Sequence, residues 1–151
     1  MNAPADREGH WRAAGALLVM ALSYALVGRL SLLLAIPPGY ASPVYPPAGM
    51  ALVFVLVYGR SAALAVMVGA IVVNVLLNPL RGLGVAEAVI GMGAGLQALA
   101  CAELVRRRVR QPLTLSAPGD IARFYLFGAG IGCLVSASVG TAVLGATDIV
   151  P

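Results

Sequence analysis

A handful of polar residues in this 151-residue chain stand inside otherwise apolar sequence, and any chemistry must come from them. Arg29 lies seven positions before the end of an apolar run that closes at Ile36. At helical rise that is about 10 Å below the end of the run. A guanidinium at such depth calls for a partner or a water-filled cavity. Glu87, Ser31 and the carbonyls of the next segment are the partners within reach. Asn74, Asn78 and Gln97 add amides that can hydrogen-bond between helices. The segment Pro37-Pro38-Gly39-Tyr40-Ala41-Ser42-Pro43-Val44-Tyr45-Pro46-Pro47 supplies the hydroxyls of Tyr40, Ser42 and Tyr45. Its prolines lack backbone donors and keep it out of a continuous helix. Such backbone is tolerated at membrane depth only where it is buried in protein or lines a cavity. The chemistry that these types support is recognition of a small ligand. No nucleophile–base pair, no paired carboxylates and no metal-ligand spacing occur, so neither an enzyme nor a metal or cofactor site is expected. Cys101 and Cys133 fall inside apolar runs, and His10 lies in a polar leader.

The elements that must position these groups are membrane helices. Sixty per cent of residues are hydrophobic and 11% charged, with mean hydropathy +0.93. A soluble chain of this length could not bury so much apolar surface. All ten basic residues are arginine, a usage that suggests a bacterial source. The net charge of +4 would suit a nucleic-acid binder, but the arginines flank apolar runs and form no aromatic-interleaved patch.

Spans are expected at Ala13 to Ile36, Ala48 to Tyr58, Ser61 to Leu77, Val85 to Val105 and Ile121 to Ala146. The first is too long for the apolar core of a signal peptide and is read as a retained helix. Gln111 to Asp120 reads as a surface loop, with Asp120 as the N-cap of the last helix. With five crossings and a cytoplasmic N-terminus, Arg7, Arg12, Arg60, Arg106, Arg107, Arg108, Arg110 and Arg123 all lie inside, and only Arg81 outside. Four crossings would place the cluster after Val105 outside. The expected fold is therefore an all-α integral membrane protein, a bundle of about five transmembrane helices. One span is short and proline-broken: Pro46 to Gly59 would reach only about 21 Å, against a hydrocarbon core of about 30 Å. Its N-terminus, opened by Pro46 and Pro47, presents N–H groups where discontinuous helices commonly line binding sites. Glu103 is set to pair with Arg106 or Arg107 at helical spacing. Gly91 and Gly95, and Gly128, Gly132, Ser136 and Gly140, repeat at four-residue intervals and are expected to be helix-packing faces. Candidate ligand-binding residues are Arg29, Tyr40, Ser42, Tyr45, Pro46, Pro47, Asn74, Glu87 and Gln97.

The run Gly28-Arg29-Leu30-Ser31-Leu32-Leu33-Leu34-Ala35, followed by the proline segment through Ala48-Gly49-Met50-Ala51-Leu52, resembles the opening of the first type of membrane-associated sensor domain. The resemblance continues at Gly59-Arg60, Gly69-Ala70, Val73-Asn74, Gly93 to Arg107 and Ser136-Ala137-Ser138-Val139-Gly140, and covers about residues 15 to 147. Tyr45 stands where that family usually has tryptophan, and Ala94 and Gln97 stand where asparagine and glutamate are expected. The resemblance implies a sensory input module of the bacterial inner membrane, of two-component or cyclic-di-GMP type. It also implies a cytoplasmic kinase or cyclase output domain as partner, and a homodimer. The family's domain is longer, so residues 13–147 would be an incomplete copy. A cytoplasmic leader, 1–12, would precede it, and an extracytoplasmic end, 148–151, would follow. A subunit of a small-solute transporter, or a structural membrane subunit without activity, is the alternative the residues leave open.

Overall fold

The computed structural model describes the backbone at residues 4–35, 45–77, 79, 82–109 and 117–146, and the statements below concern those residues. They form helices and turns: α1 (Pro4–Leu32), α2 (Pro46–Tyr58), α3 (Ala62–Leu77), α4 (Val85–Arg108), α5 (Pro118–Phe124) and α6 (Ile131–Ala146). A π-helical stretch, Tyr125–Gly130, joins α5 to α6, so that the last three pieces make one interrupted rod. Three segments are long and apolar enough to cross a membrane: Trp11–Leu32, Val85–Arg108 and Pro118–Ala142. The helices α2 and α3, at 13 and 16 residues, are shorter than that. The short, proline-started α2 is the broken span expected from sequence.

Each boundary has a local cause. Pro46 and Pro47 occupy the first turn of α2, where a missing N–H costs nothing and the fixed φ suits the helix. At the other end Gly59 takes φ +84°, a left-handed conformation that residues with a Cβ rarely adopt. The chain turns there and α3 begins at Ala62, which separates the apolar stretch 48–77 into two helices. The start of α4 is held by the Gly84 N–H, which donates to Glu87 Oε2 at 2.9 Å. Gly84 has no side chain to return the bond, so only one arm of a capping box forms.

Three expectations are corrected at the helix ends. The first helix starts earlier than expected, at Pro4, and closes at Leu32, four residues before Ile36. Asp120 is not an N-cap: α5 starts at Pro118 with Ala117 preceding it, and Pro118 to Asp120 are helical rather than loop. Proline at the first helical position explains the shift. Asp120 sits in the first turn beside the positive end of the helix dipole and pairs with Arg123 at 3.5 Å.

Packing is built on small residues. The contact pattern runs α1 against α3, α3 against α4 and α4 against α6, with α2 bridging α1 and α4. Ala21, Ala51, Ala62, Ala63, Ala65, Ala70, Ala98 and Ala102 are buried with Val55, Val66 and Tyr24. In lipid no hydrophobic force separates a leucine on the outside from one on the inside, so close backbone approach decides which faces meet. Gly91 and Gly95 of α4 lie over the carbonyls of Met67 and Ala63 in α3, at 3.0 and 3.1 Å from an added Cβ. Gly69 of α3 does the same against the carbonyl of Ala21 in α1, at 2.9 Å. Gly91 and Gly95 are thus points of close approach between α4 and α3. Gly128 meets Leu52, and Gly132 meets Cys101 and Gln97. Gly140 faces open space, and this part of the four-residue stripe is corrected. The four-residue spacing is the physical reason: on a helix of 3.6 residues per turn each step of four drifts by about 40°, so Gly140 has turned about 80° from Gly132. Ser136's side chain lies outside the described residues. Leu18, Leu22, Leu26 and Leu30 form an outward stripe on α1, as a lipid-facing surface requires.

Candidate functional site

Tyr24 and Gly28 lie one turn apart on α1, and both are buried. An added Cβ at Gly28 would stand 2.7 Å from Val73 Cγ2 and 3.3 Å from the Tyr45 hydroxyl. The missing side chain at Gly28 thus lets Tyr45, the residue immediately before α2, reach the face of α1. There its hydroxyl hydrogen-bonds to that of Tyr24. The N-terminus of α2 is pinned by this pair.

The opposite end of α2 is also held. Arg106, on the last turn of α4, donates from Nη2 to the carbonyls of Val55 and Leu56, at 2.8 and 3.3 Å. Both carbonyls belong to the last turn of α2, where that of Val55 also accepts from the Gly59 N–H at 3.1 Å. Of the two arginines at helical spacing from Glu103, the ion pair forms with Arg107. Glu103 takes Arg107 at 2.7 Å and Arg60 at 3.6 Å, while Arg106 turns inward to α2.

Between these anchors, a cavity of about 440 Å³ lies among α1, α2, α4 and the π-helical stretch. That volume is in the range of small-molecule sites. Its polar side chains are those of Tyr24, Tyr45, Tyr125, Gln97, Cys101 and Cys133. Phe124 and Tyr125, edge to face with ring centroids 6.3 Å apart, form one wall. No carboxylate, imidazole or guanidinium lines it. Such a lining can accept and donate a few hydrogen bonds to an uncharged molecule. At the rim, Val53 and Tyr125 are exposed, so the cavity opens at the flank of the bundle.

Of the candidate binding residues, the structure brings Tyr45 and Gln97 together here. Arg29 is elsewhere: it is exposed and donates to the Leu76 carbonyl at the end of α3, at 3.2 Å. Of its expected partners, Glu87 is engaged with Gly84 and Ser31 with the Val27 carbonyl, and most of the proline segment lies outside the described residues. Asn74 bonds back to the Ala70 carbonyl in its own helix. Pro47 is buried and Pro46 is exposed, and neither lines the cavity. Tyr40, Ser42 and Asn78 lie outside the described residues. Tyr24, Cys101, Cys133 and the Phe124–Tyr125 pair were not singled out from sequence. The hydroxyl of Tyr24 within an alanine-rich run was the one available signal. The thiols looked like ordinary packing residues.

The MASE1 family profile matches residues 14–151. The chain belongs to the MASE1 family. MASE1 is a multi-pass membrane sensor input domain found in histidine kinases and diguanylate cyclases. No curated protein matches this chain, and no solved structure matches it. Tyr45, Ala94 and Gln97 all line the cavity.

Proposed function

We propose that this MASE1 domain senses a small uncharged ligand held in the cavity among α1, α2, α4 and the π-helical stretch. The observation that carries the reading is the position of the cavity. It lies against a short helix that begins at a proline-broken segment and against the one interruption of helical geometry in the last rod. The π-helical stretch is the irregular element beside the cavity, and a ligand shifts an equilibrium between two packings by its differential affinity for them. Tyr45 and Gln97 orient the ligand, and Phe124 and Tyr125 cover it. The change in packing passes to a cytoplasmic kinase or cyclase output domain, in an inner-membrane homodimer whose N-terminus is cytoplasmic. This assignment of sides follows from the arginine distribution.

The test fills the cavity. Ala94→Trp is introduced into the receptor that carries this domain, and kinase phosphorylation or cyclic-di-GMP is read across growth conditions in its host. The expected result is an output locked at one level with protein abundance unchanged, while Met92→Trp, on the exposed face of the same helix and in the lining of neither cavity, responds as wild type. An Ala94→Trp receptor that still responds over the full range would sink the reading. Solute flux through reconstituted protein would favour the transporter alternative instead.

A further inference from the structure

A second cavity, of about 480 Å³, lies at the end of the bundle where α2 turns into α3 and α4 finishes. Its lining divides cleanly by chemistry. Leu96, Leu99 and Ala100 make the apolar part, and Arg60, Glu103 and Arg106 make the charged part. The α4 members are spaced i, i+3, i+4, i+7 and i+10, which is one face of one helix. Along that stripe the surface changes from hydrocarbon to charge over about 15 Å. Leu96 and Ala100 are exposed. The first cavity, by contrast, has no charged group in its lining.

The charge does not cancel. Glu103 is shared between Arg107 and Arg60, whose side chains are 72% and 79% exposed. Arg106 is fixed at the cavity by its bonds to the Val55 and Leu56 carbonyls, and Arg108 stacks over the Phe127 ring at 5.8 Å. Two guanidiniums thus share the one carboxylate, and that of Arg106 adds a further positive charge to the cavity lining. The left-handed Gly59 is what carries Arg60 over to α4, because the chain reverses at that residue.

We propose that this cavity seats one anionic phospholipid. Its phosphate lies on Arg60 and Arg106, and an acyl chain runs along Leu96, Leu99 and Ala100. Basic pockets between helices at a membrane face are suited to anionic headgroups. A free phosphate would use the arginines and leave the apolar half of the same stripe without a role. A neutral lipid would do the reverse. Only a molecule anionic at one end and hydrocarbon at the other matches both halves.

The test is native mass spectrometry of the full chain in a mild detergent, with phosphatidylglycerol or phosphatidylcholine of matched acyl chains. The expected result is tighter retention of phosphatidylglycerol, weakened about fivefold by Arg60→Gln, in line with the contribution of one arginine near an anionic headgroup. Arg60 makes only an exposed ion pair, so Arg60→Gln keeps the fold and is the decisive variant; Arg106→Gln also uncaps α2. Ala100→Trp should weaken retention of phosphatidylglycerol while leaving all four arginines in place. Equal retention of the two lipids by wild type would overturn the proposal, as would undiminished phosphatidylglycerol binding by Arg60→Gln. Displacement of phosphatidylglycerol by millimolar inorganic phosphate would overturn it in favour of a soluble anion.

Discussion

Close approach of α4 to α3 is the feature on which the rest of the bundle depends, and adding a single methyl group tests it. An added Cβ at Gly91 would stand 3.0 Å from the Met67 carbonyl oxygen and would overlap Ile71 Cγ1. A backbone carbonyl in the middle of α3 cannot rotate away, so the two helices must separate. Overpacking of this kind costs about 1–3 kcal/mol. Taking about 2 kcal/mol, and about 2–4 °C per kcal/mol for a chain of this size, Gly91→Ala should lower the Tm by about 4–8 °C. At Gly95 the nearest atoms are Met67 Cγ and Cε, the flexible part of a side chain, with the Ala63 carbonyl at 3.1 Å. Gly95→Ala should therefore couple to Met67→Ala by at least about 0.5 kcal/mol in a double-mutant cycle, whereas Gly91→Ala and Met67→Ala should be close to additive. Gly15→Ala is the control: nothing lies within 4 Å, so the better helix propensity of alanine should stabilise by up to about 1 kcal/mol. The assay is thermal unfolding in lipid nanodiscs, followed by size-exclusion chromatography of the surviving fraction. A Gly91→Ala protein that melts at or above the wild-type temperature would refute the close approach.

Three further outcomes are expected. Arg106→Gln should destabilise by about 1.5–3 kcal/mol, because a charged donor to two carbonyls of α2 is lost; Arg108→Gln should cost well under 1 kcal/mol, and equal melting of the two variants would count against the capping role. Tyr45→Phe should cost about 0.5–1.5 kcal/mol by removing the bond to Tyr24, and Tyr24→Phe in the same background should add little. For the arrangement in the membrane, alkaline phosphatase fused after Pro151 should be active and green fluorescent protein at that position dark; the opposite pattern would overturn the five-crossing arrangement with a cytoplasmic N-terminus.

Much of this architecture is legible in the residues. Length and hydropathy place the apolar stretches, Pro46-Pro47 opens α2, and the arginine balance separates α2 from α3 before Gly59 is seen to turn the chain. Hydrogen-bond partners are much less so. Arg29 and Arg106 both stand near helix ends, but only the packing decides that one reaches Leu76 of α3 and the other reaches the end of α2. Tertiary contacts between residues about fifty positions apart leave no local trace. The π-helical stretch is hidden for a different reason: Tyr125 to Gly130 contains no proline and reads as ordinary apolar helix. With it were hidden the angular register of the last rod and the presence of Cys133 at the cavity.

The two ends of α2 are fixed by groups of different kinds, and this constrains any motion that a ligand could drive. Tyr45 is held to α1 through Tyr24, and the last turn is held to α4 through Arg106. A slide of α2 along its axis would break both attachments, at a combined cost of roughly 2–4 kcal/mol. The π-helical stretch meets α2 chiefly through Leu52 against Gly128, where an added Cβ would stand 3.0 Å from Leu52 Cδ2. That contact is apolar and its geometry is the least regular in the bundle. A ligand between Tyr45 and Phe124 therefore displaces the π-helical stretch more cheaply than it displaces α2. The signal, on the proposed reading, leaves through the last rod, and α2 serves as the fixed wall against which that rod moves.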